Sequence, residues 1–238
     1  MRYFVLLFLL TLMSCQPAEK ELSAQELLER SIQKHDPKGE WNEAEFIVRI
    51  QEPRLQNPVR FSEVSINNKT GAFELKRNRE DKVASYQIDS NGVTTVLLDN
   101  QVVQDSTLID RYMLQDLRVQ NYQRFYQILL GLPMSLDADV LDTMGSVSEV
   151  VFNEKSSYRI EITLKKPLFS DHWNLFISKD DFRLLGIEMV FPDNANKGER
   201  LYFNKTLQIG NIQIPRIRHW YELDDSYSGS DVIVKKLD

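Results

Sequence analysis

The sequence predicts an α+β fold that is mainly β: one large curved antiparallel sheet, a half-barrel of about 11 strands, with an N-terminal helix and a central helix packed on its concave side. Three observations carry this expectation. After one short helical pattern, apolar and polar residues alternate in run after run, the period of a strand with one covered face. The runs are joined by spacers of a few residues rich in Asn, Asp and Gly, too short for a parallel crossover and suited to hairpins. One stretch near the middle, free of Gly and Pro from 108 to 130, returns to helical spacing. A sheet with so many strands must curl, and curling around the helices leaves an apolar inside.

The chain opens on a leader. Arg2 makes a short basic start, residues 3–13 are apolar apart from Thr11, and Ser14-Cys15 follows at once. This reads as a secretory signal peptide over residues 1–14, and Leu12-Met13-Ser14-Cys15 matches the lipobox pattern in which the cysteine is acylated and becomes the new first residue. An apolar run of 11 residues is too short to cross a bilayer, which takes roughly 20. Cys15 is the only cysteine, so it has no disulfide partner in the chain. The expected partner is therefore a membrane, held through lipid on Cys15, most readily at the outer membrane of a cell envelope. Residues 15–22 form the lipidated N-terminus and a polar, proline-containing spacer, and residues 23–238 form one domain.

Composition narrows the function of that domain. With 42% hydrophobic and 27% charged residues there is material for a core, and wholesale disorder is excluded. The net charge of −6 and the lack of basic clusters argue against nucleic acid as a partner.

The elements follow in order. Ser23 with Glu26 forms a capping box, Leu27, Leu28 and Ile32 share a stripe, and Asp36-Pro37 with Gly39 stops a first helix at 23–35. In 42–50, Ala44, Phe46, Val48 and Ile50 alternate with polar residues, and similar strands are expected at 59–67, 72–78, 84–89 and 94–98. Tyr122, Phe125, Tyr126, Leu129 and Leu130 recur at threes and fours, giving a helix at 117–130 after an irregular lead-in, closed by Gly131 and Pro133. Strands resume at 147–152, 158–165, 173–178, 183–191, 201–209, 212–223 and 231–236. The Gly210-Asn211 pair marks the clearest hairpin, and Pro215 suggests an edge position or a bulge in the strand that follows.

Two parts of this pattern carry a resemblance. Ser31-Ile32-Gln33-Lys34-His35-Asp36-Pro37-Lys38-Gly39-Glu40-Trp41 ahead of a strand, then His172-Trp173-Asn174-Leu175-Phe176, Phe182-Arg183-Leu184-Leu185-Gly186 and Ile212 through Tyr221, resemble the DUF6503 family of Bacteroidota lipoproteins. The resemblance spans about residues 22–234 and is loosest over 100–145. It brings no established activity. By analogy, the order of elements looks like the LolA-like lipoprotein-carrier half-barrels, which implies a concave groove for acyl chains.

Residue chemistry adds little toward catalysis. There is no Gly-x-Ser-x-Gly elbow, no His-Glu-x-x-His, no phosphate-binding glycine loop, and no cofactor or metal spacing. His35-Asp36 and Asp171-His172 place a carboxylate beside an imidazole, but sequence neighbours point apart on a helix or strand, so these fit a helix end and a strand lead-in better than a dyad. A site joining His172 and His219 would need remote hairpins brought together. No catalytic residue is assigned, and a hydrolase using scattered carboxylates stays open. The residues expected to line a groove for a hydrophobic or amphiphilic ligand are Trp41, Phe46, Tyr122, Phe125, Tyr126, Leu129, Trp173 and Trp220. The competing reading of each is plain core packing. A non-catalytic scaffold or interaction lipoprotein is the alternative function.

Overall fold

The computed structural model describes residues 21–57 and 59–237. The leader and Cys15 lie outside the described residues. The first helix, α1 (Ala24–His35), starts on the expected capping box: the Glu26 N–H donates to Ser23 Oγ at 3.2 Å and the Ser23 N–H to Glu26 Oε2 at 2.9 Å. It ends where Asp36 turns its carboxylate onto the N–H groups of Glu40 (2.9 Å) and Trp41 (2.8 Å), holding the short turn that leads into the sheet.

Five strands follow in hairpin succession: β1 (Glu45–Gln51), β2 (Phe61–Asn67), β3 (Phe73–Arg79), β4 (Lys82–Ile88) and β5 (Thr94–Leu98). Two helices, α2 (Ser106–Tyr112) and α3 (Leu117–Gly131), then carry the chain to the far side, where β6 (Leu141–Phe152), β7 (Lys155–Leu168), β8 (Ser170–Ser178), β9 (Leu184–Phe191), β10 (Asn194–Ile209), β11 (Ile212–Glu222) and β12 (Tyr227–Leu237) form a second meander. One 12-stranded sheet results, ordered β5-β4-β3-β2-β1-β12-β11-β10-β9-β8-β7-β6. Every pair is antiparallel, and the pairing of β1 with β12 joins the two meanders. The sheet is curved and unclosed, with β5 and β6 as its edges. This is the expected half-barrel.

Register decides which side chains go inside. Phe46, Val48 and Ile50 of β1, Val64 and Ile66 of β2, Leu75 of β3 and Tyr86 of β4 face Tyr126 and Leu130 of α3 and Tyr112 of α2. The other half packs Ile160, Ile162, Trp173, Leu175, Ile187, Leu201 and Trp220 against Leu27 and Leu28 of α1 and Ile128 and Leu129 of α3. The helices therefore fill the concave face with their own side chains. The end of α3 comes so close to the sheet that a Cβ on Gly131 would stand 2.2 Å from the Trp41 ring, so only glycine fits there.

Three departures from the sequence reading have physical causes. The lead-in to α3 contains the helix α2, capped by Asp105 onto Thr107 and Leu108 N–H groups, too short to show periodicity. The strand expected at 147–152 begins at Leu141, and in its first half two bulges put Leu141 and Met144, three residues apart, on the covered side, which breaks the period of two. Pro215 sits in β11, which is not a sheet edge, but β11 pairs with β12 only over Ile217–Tyr221, so locally its missing N–H costs no rung on that side.

Candidate functional site

At one end of the half-barrel the inward register passes from apolar to charged residues. Continuing Phe46, Val48, Ile50 inward gives Glu52; Phe73, Leu75 gives Arg77; Ile66, Val64 run back to Ser62; and on β11 Ile212 and Ile214 lead to Arg218 and Trp220. All of these are buried.

Most of this cluster is closed by its own hydrogen bonds. Arg77 donates from Nε to Ser62 Oγ (2.9 Å) and from Nη2 to Glu52 Oε1 (3.0 Å) and to the Tyr126 hydroxyl of α3. That hydroxyl donates to Glu52 Oε1 at 2.7 Å, and Arg60 Nε donates to Glu52 Oε2 at 2.6 Å. Burial alone would raise the Glu52 carboxyl, but Arg77, Arg60 and the Tyr126 hydrogen bond outweigh it and hold it below the usual carboxylate range. Burial pushes the Tyr126 phenol up, so it stays a neutral donor. A second pair lies alongside. Arg54 Nη2 donates to Asp231 Oδ1 at 2.7 Å, and Trp220 Nε1 donates to Asp231 Oδ2 at 2.8 Å.

Arg218 is the exception. It is 1% exposed, and its Nε, Nη1 and Nη2 have no hydrogen-bond partner among the described residues. Burial pushes its pKa down to about 10, against the pull of Asp231 and Tyr126, which leaves it cationic at neutral pH.

An aromatic seam lies beside this cluster. Phe125 of α3 stacks on Trp220 with ring centroids 6.5 Å apart, and Phe169, in the tight turn between β7 and β8, stands edge-on to both, at 5.8 Å from Phe125 and 6.2 Å from Trp220. Phe169 is 54% exposed and takes φ 62°, a left-handed conformation unusual for an aromatic residue. Arg124 of α3 fixes the turn by donating to the Pro167 carbonyl at 2.7 Å and to that of Lys166.

At the rim of the same end, Glu199 of β10 lies directly across from Glu222 of β11. Burial first, then the Glu222 charge, push the Glu199 carboxyl up from 4.5 to about 7. Between these values the folded state holds the proton that the unfolded chain has lost, so stability falls as pH rises through this window and levels off above it. Glu199→Gln is expected to remove that slope and to raise stability at pH 8 by on the order of 1–2 kcal/mol, allowing for partial exposure. Urea titrations at pH 5 and pH 8 check this; a variant with the same slope as the parent would contradict it.

The expected groove residues divide. Tyr122, Phe125 and Tyr126 of α3 and Trp220 of β11 gather at the polar end. Trp41 and Phe46 pack together near the other end of β1, with rings 6.1 Å apart, and Leu129 and Trp173 lie in the core between α3 and the second meander. Glu52, Arg77, Phe169 and Arg218 were not singled out from the sequence. Glu52, Arg77 and Arg218 had a legible signal, a charge placed where strand alternation calls for an apolar residue.

The histidines are accounted for separately. His35 is buried, with Nδ1 2.7 Å from the Gln213 carbonyl and Nε2 accepting the Leu184 N–H at 3.1 Å, so it pins α1 to β9 and β11 as a neutral ring. Burial accordingly lowers its pKa. Asp36 is spent on the two backbone N–H groups named above, so the pair forms no dyad. His172 on β8 and His219 on β11 are separated by β9 and β10 and by four residues along the strands, since His219 aligns with Phe176, roughly 19 Å in all by strand spacing and rise. Among the described residues no group of three or more His, Cys, Asp or Glu is placed to hold a metal ion, and no helix is long and apolar enough to cross a membrane. A surface groove of about 770 Å³ lies elsewhere, beside Arg30 of α1, Tyr158 and Phe182.

Comparison with known proteins gives a family and a fold. The model of a family of unknown function, DUF6503, matches residues 1–235. No curated protein matches the sequence. Among solved structures, a domain from Vibrio parahaemolyticus described as an outer membrane lipoprotein-sorting protein is similar at a TM-score of 0.53 and 12% identity, over 90% of this chain and 93% of that one. A LolA superfamily protein from Nitrosomonas europaea is similar at a TM-score of 0.52 and 11% identity, over 92% of this chain and 93% of that one. At such identities the likeness is one of fold.

Proposed function

The chain belongs to the DUF6503 family, and we propose that it is an envelope lipoprotein, anchored through acyl groups on Cys15 at the outer membrane, that holds the apolar chain of an amphiphilic ligand between α3 and the concave sheet. The observation that carries this reading is the seam of Phe125, Trp220 and Phe169, in which the half-exposed Phe169 ring continues buried apolar surface out to solvent. A half-exposed aromatic ring held against α3 by a strained turn is a costly arrangement for a solid scaffold. It suits a protein that parts α3 from the β7–β8 turn to admit a ligand. The fold shared with the lipoprotein-sorting domain and the LolA superfamily protein supports the same class. The apolar chain takes the place that side chains of α3 hold in the empty protein.

The described elements all lie within residues 24–237, so the chain from Gln16 onward carries all of them. That protein, purified without detergent, is expected to show a bound amphiphile in its native mass spectrum, or to take up a fluorescent fatty acid with quenching of tryptophan emission. A clean unliganded mass together with no uptake would overturn the reading. It would favour the scaffold alternative, which the packing of α1 and α3 into the concave face supports.

A further inference from the structure

Resting on that reading, we propose that Arg218 is the seat of an anionic head group, the carboxylate or phosphate of the amphiphile whose chain lies along the aromatic seam. The guanidinium is buried, and none of its nitrogens has a hydrogen-bond partner among the described residues. A buried charge left so is among the most costly groups a core can hold, and such groups are ordinarily paired.

The acids around it are already engaged. Asp231 gives one oxygen to Arg54 and the other to Trp220. Glu52 gives one oxygen to Arg77 and Tyr126 and the other to Arg60. Four arginines, Arg54, Arg60, Arg77 and Arg218, thus meet two carboxylates, Glu52 and Asp231. Asp231 lies across from Arg218 in the β11–β12 register and attracts it, but both of its oxygens are taken by Arg54 and Trp220, so the guanidinium has charge nearby and no acceptor for its N–H groups. Arg77, also buried but bonded through Nε and Nη2, shows what this environment does for an arginine that belongs to the protein's own network.

The surroundings also select the rest of the ligand. Trp220 follows Arg218 by two residues on the same face of β11, about 7 Å away along the strand. Its ring stacks on Phe125 and meets Phe169. Charge and apolar surface are therefore adjacent, the pattern of an acidic head with a hydrocarbon chain. A carboxylate or phosphate presents the oxygens that a guanidinium fork binds in pairs.

The test compares palmitate, hexadecyl phosphate and hexadecanol as ligands of the chain from Gln16 onward, in the parent and in Arg218→Met. The parent is expected to bind the two acids at least about tenfold more tightly than the alcohol, the worth of one charge-assisted hydrogen bond. Arg218→Met is expected to lose that preference, to keep its affinity for hexadecanol, and to melt no lower than the parent when unliganded, since it removes an unpaired buried charge. Equal affinity of the parent for acid and alcohol would overturn the head-group assignment and leave the carrier reading standing. Binding of none of the three would overturn both. A variant that melts lower yet keeps the acid preference would make Arg218 structural and overturn the assignment. Inorganic phosphate or acetate raising the melting temperature as much as the amphiphiles would overturn the amphiphile in favour of a small free anion.

Discussion

Glu52→Ala is expected to lower the stability of the fold by about 3–5 kcal/mol. Glu52 is the hub of the buried network: its carboxylate receives Arg77, Arg60 and the Tyr126 hydroxyl at 3.0, 2.6 and 2.7 Å, joining β1, β3, the β1–β2 loop and α3. Truncation leaves Arg77 buried without its counter-ion and the Tyr126 hydroxyl without its acceptor. The cost is that of two orphaned polar groups and exceeds the net worth of the bonds themselves. In a domain of this size the loss corresponds to a fall in melting temperature of about 10 °C. The double variant Glu52→Ala with Arg77→Met is expected to recover part of it, because the second change removes the charge stranded by the first. Guanidinium denaturation of the three proteins measures both. A loss below about 1 kcal/mol for Glu52→Ala would mean that water reaches the network and that the interior at this end is not sealed.

Trp173→Ala carries a loss of similar size for a different reason. Trp173 is 1% exposed on the covered face of β8, packed in the cluster that contains Leu129, Leu27 and Leu28, and its Nε1 donates to the Ser170 carbonyl at 2.9 Å. Removing an indole there opens a large cavity and frees a buried carbonyl, at about 3–5 kcal/mol. The substitution separates the two readings of this tryptophan. As a core residue it costs stability in the empty protein; as a ligand-lining residue it would cost uptake and little stability. The burial predicts the first outcome, with the melting temperature of the unliganded variant as the readout. A variant that melts with the parent but fails to take up fatty acid would place Trp173 in the binding surface.

How far the sequence discloses this molecule depends on whether a feature is local. The capping box of α1, the alternation of β1 through β5 and the Gly210-Asn211 hairpin are set by residues within a few positions of one another, and each is found where its signals lie. The pairing of β1 with β12 brings together residues such as Ile47 and Leu237, and no local pattern announces it. The first half of β6 gives no alternation because bulges between Leu141 and Thr143 and between Met144 and Val147 break its period. The site was half legible. Phe125, Tyr126 and Trp220 are conspicuous as aromatics, whereas Arg218 and Glu52 show only as charges on the inward phase of a strand, a signal that says they are buried and not what they meet. Phe169 shows no signal in sequence, since its role follows from a turn conformation that places its ring over α3.

The central claim, that an amphiphile lies between α3 and the sheet at the aromatic end, is tested most directly by a palmitate analogue carrying a photoreactive diazirine next to its carboxylate. Irradiated with the chain from Gln16 onward and mapped by peptide mass spectrometry, it is expected to label β11 around Arg218 and Trp220 and α3 around Phe125, with labelling suppressed by excess palmitate. Labelling spread over the outer face of the sheet, or not suppressed by palmitate, would contradict the claim.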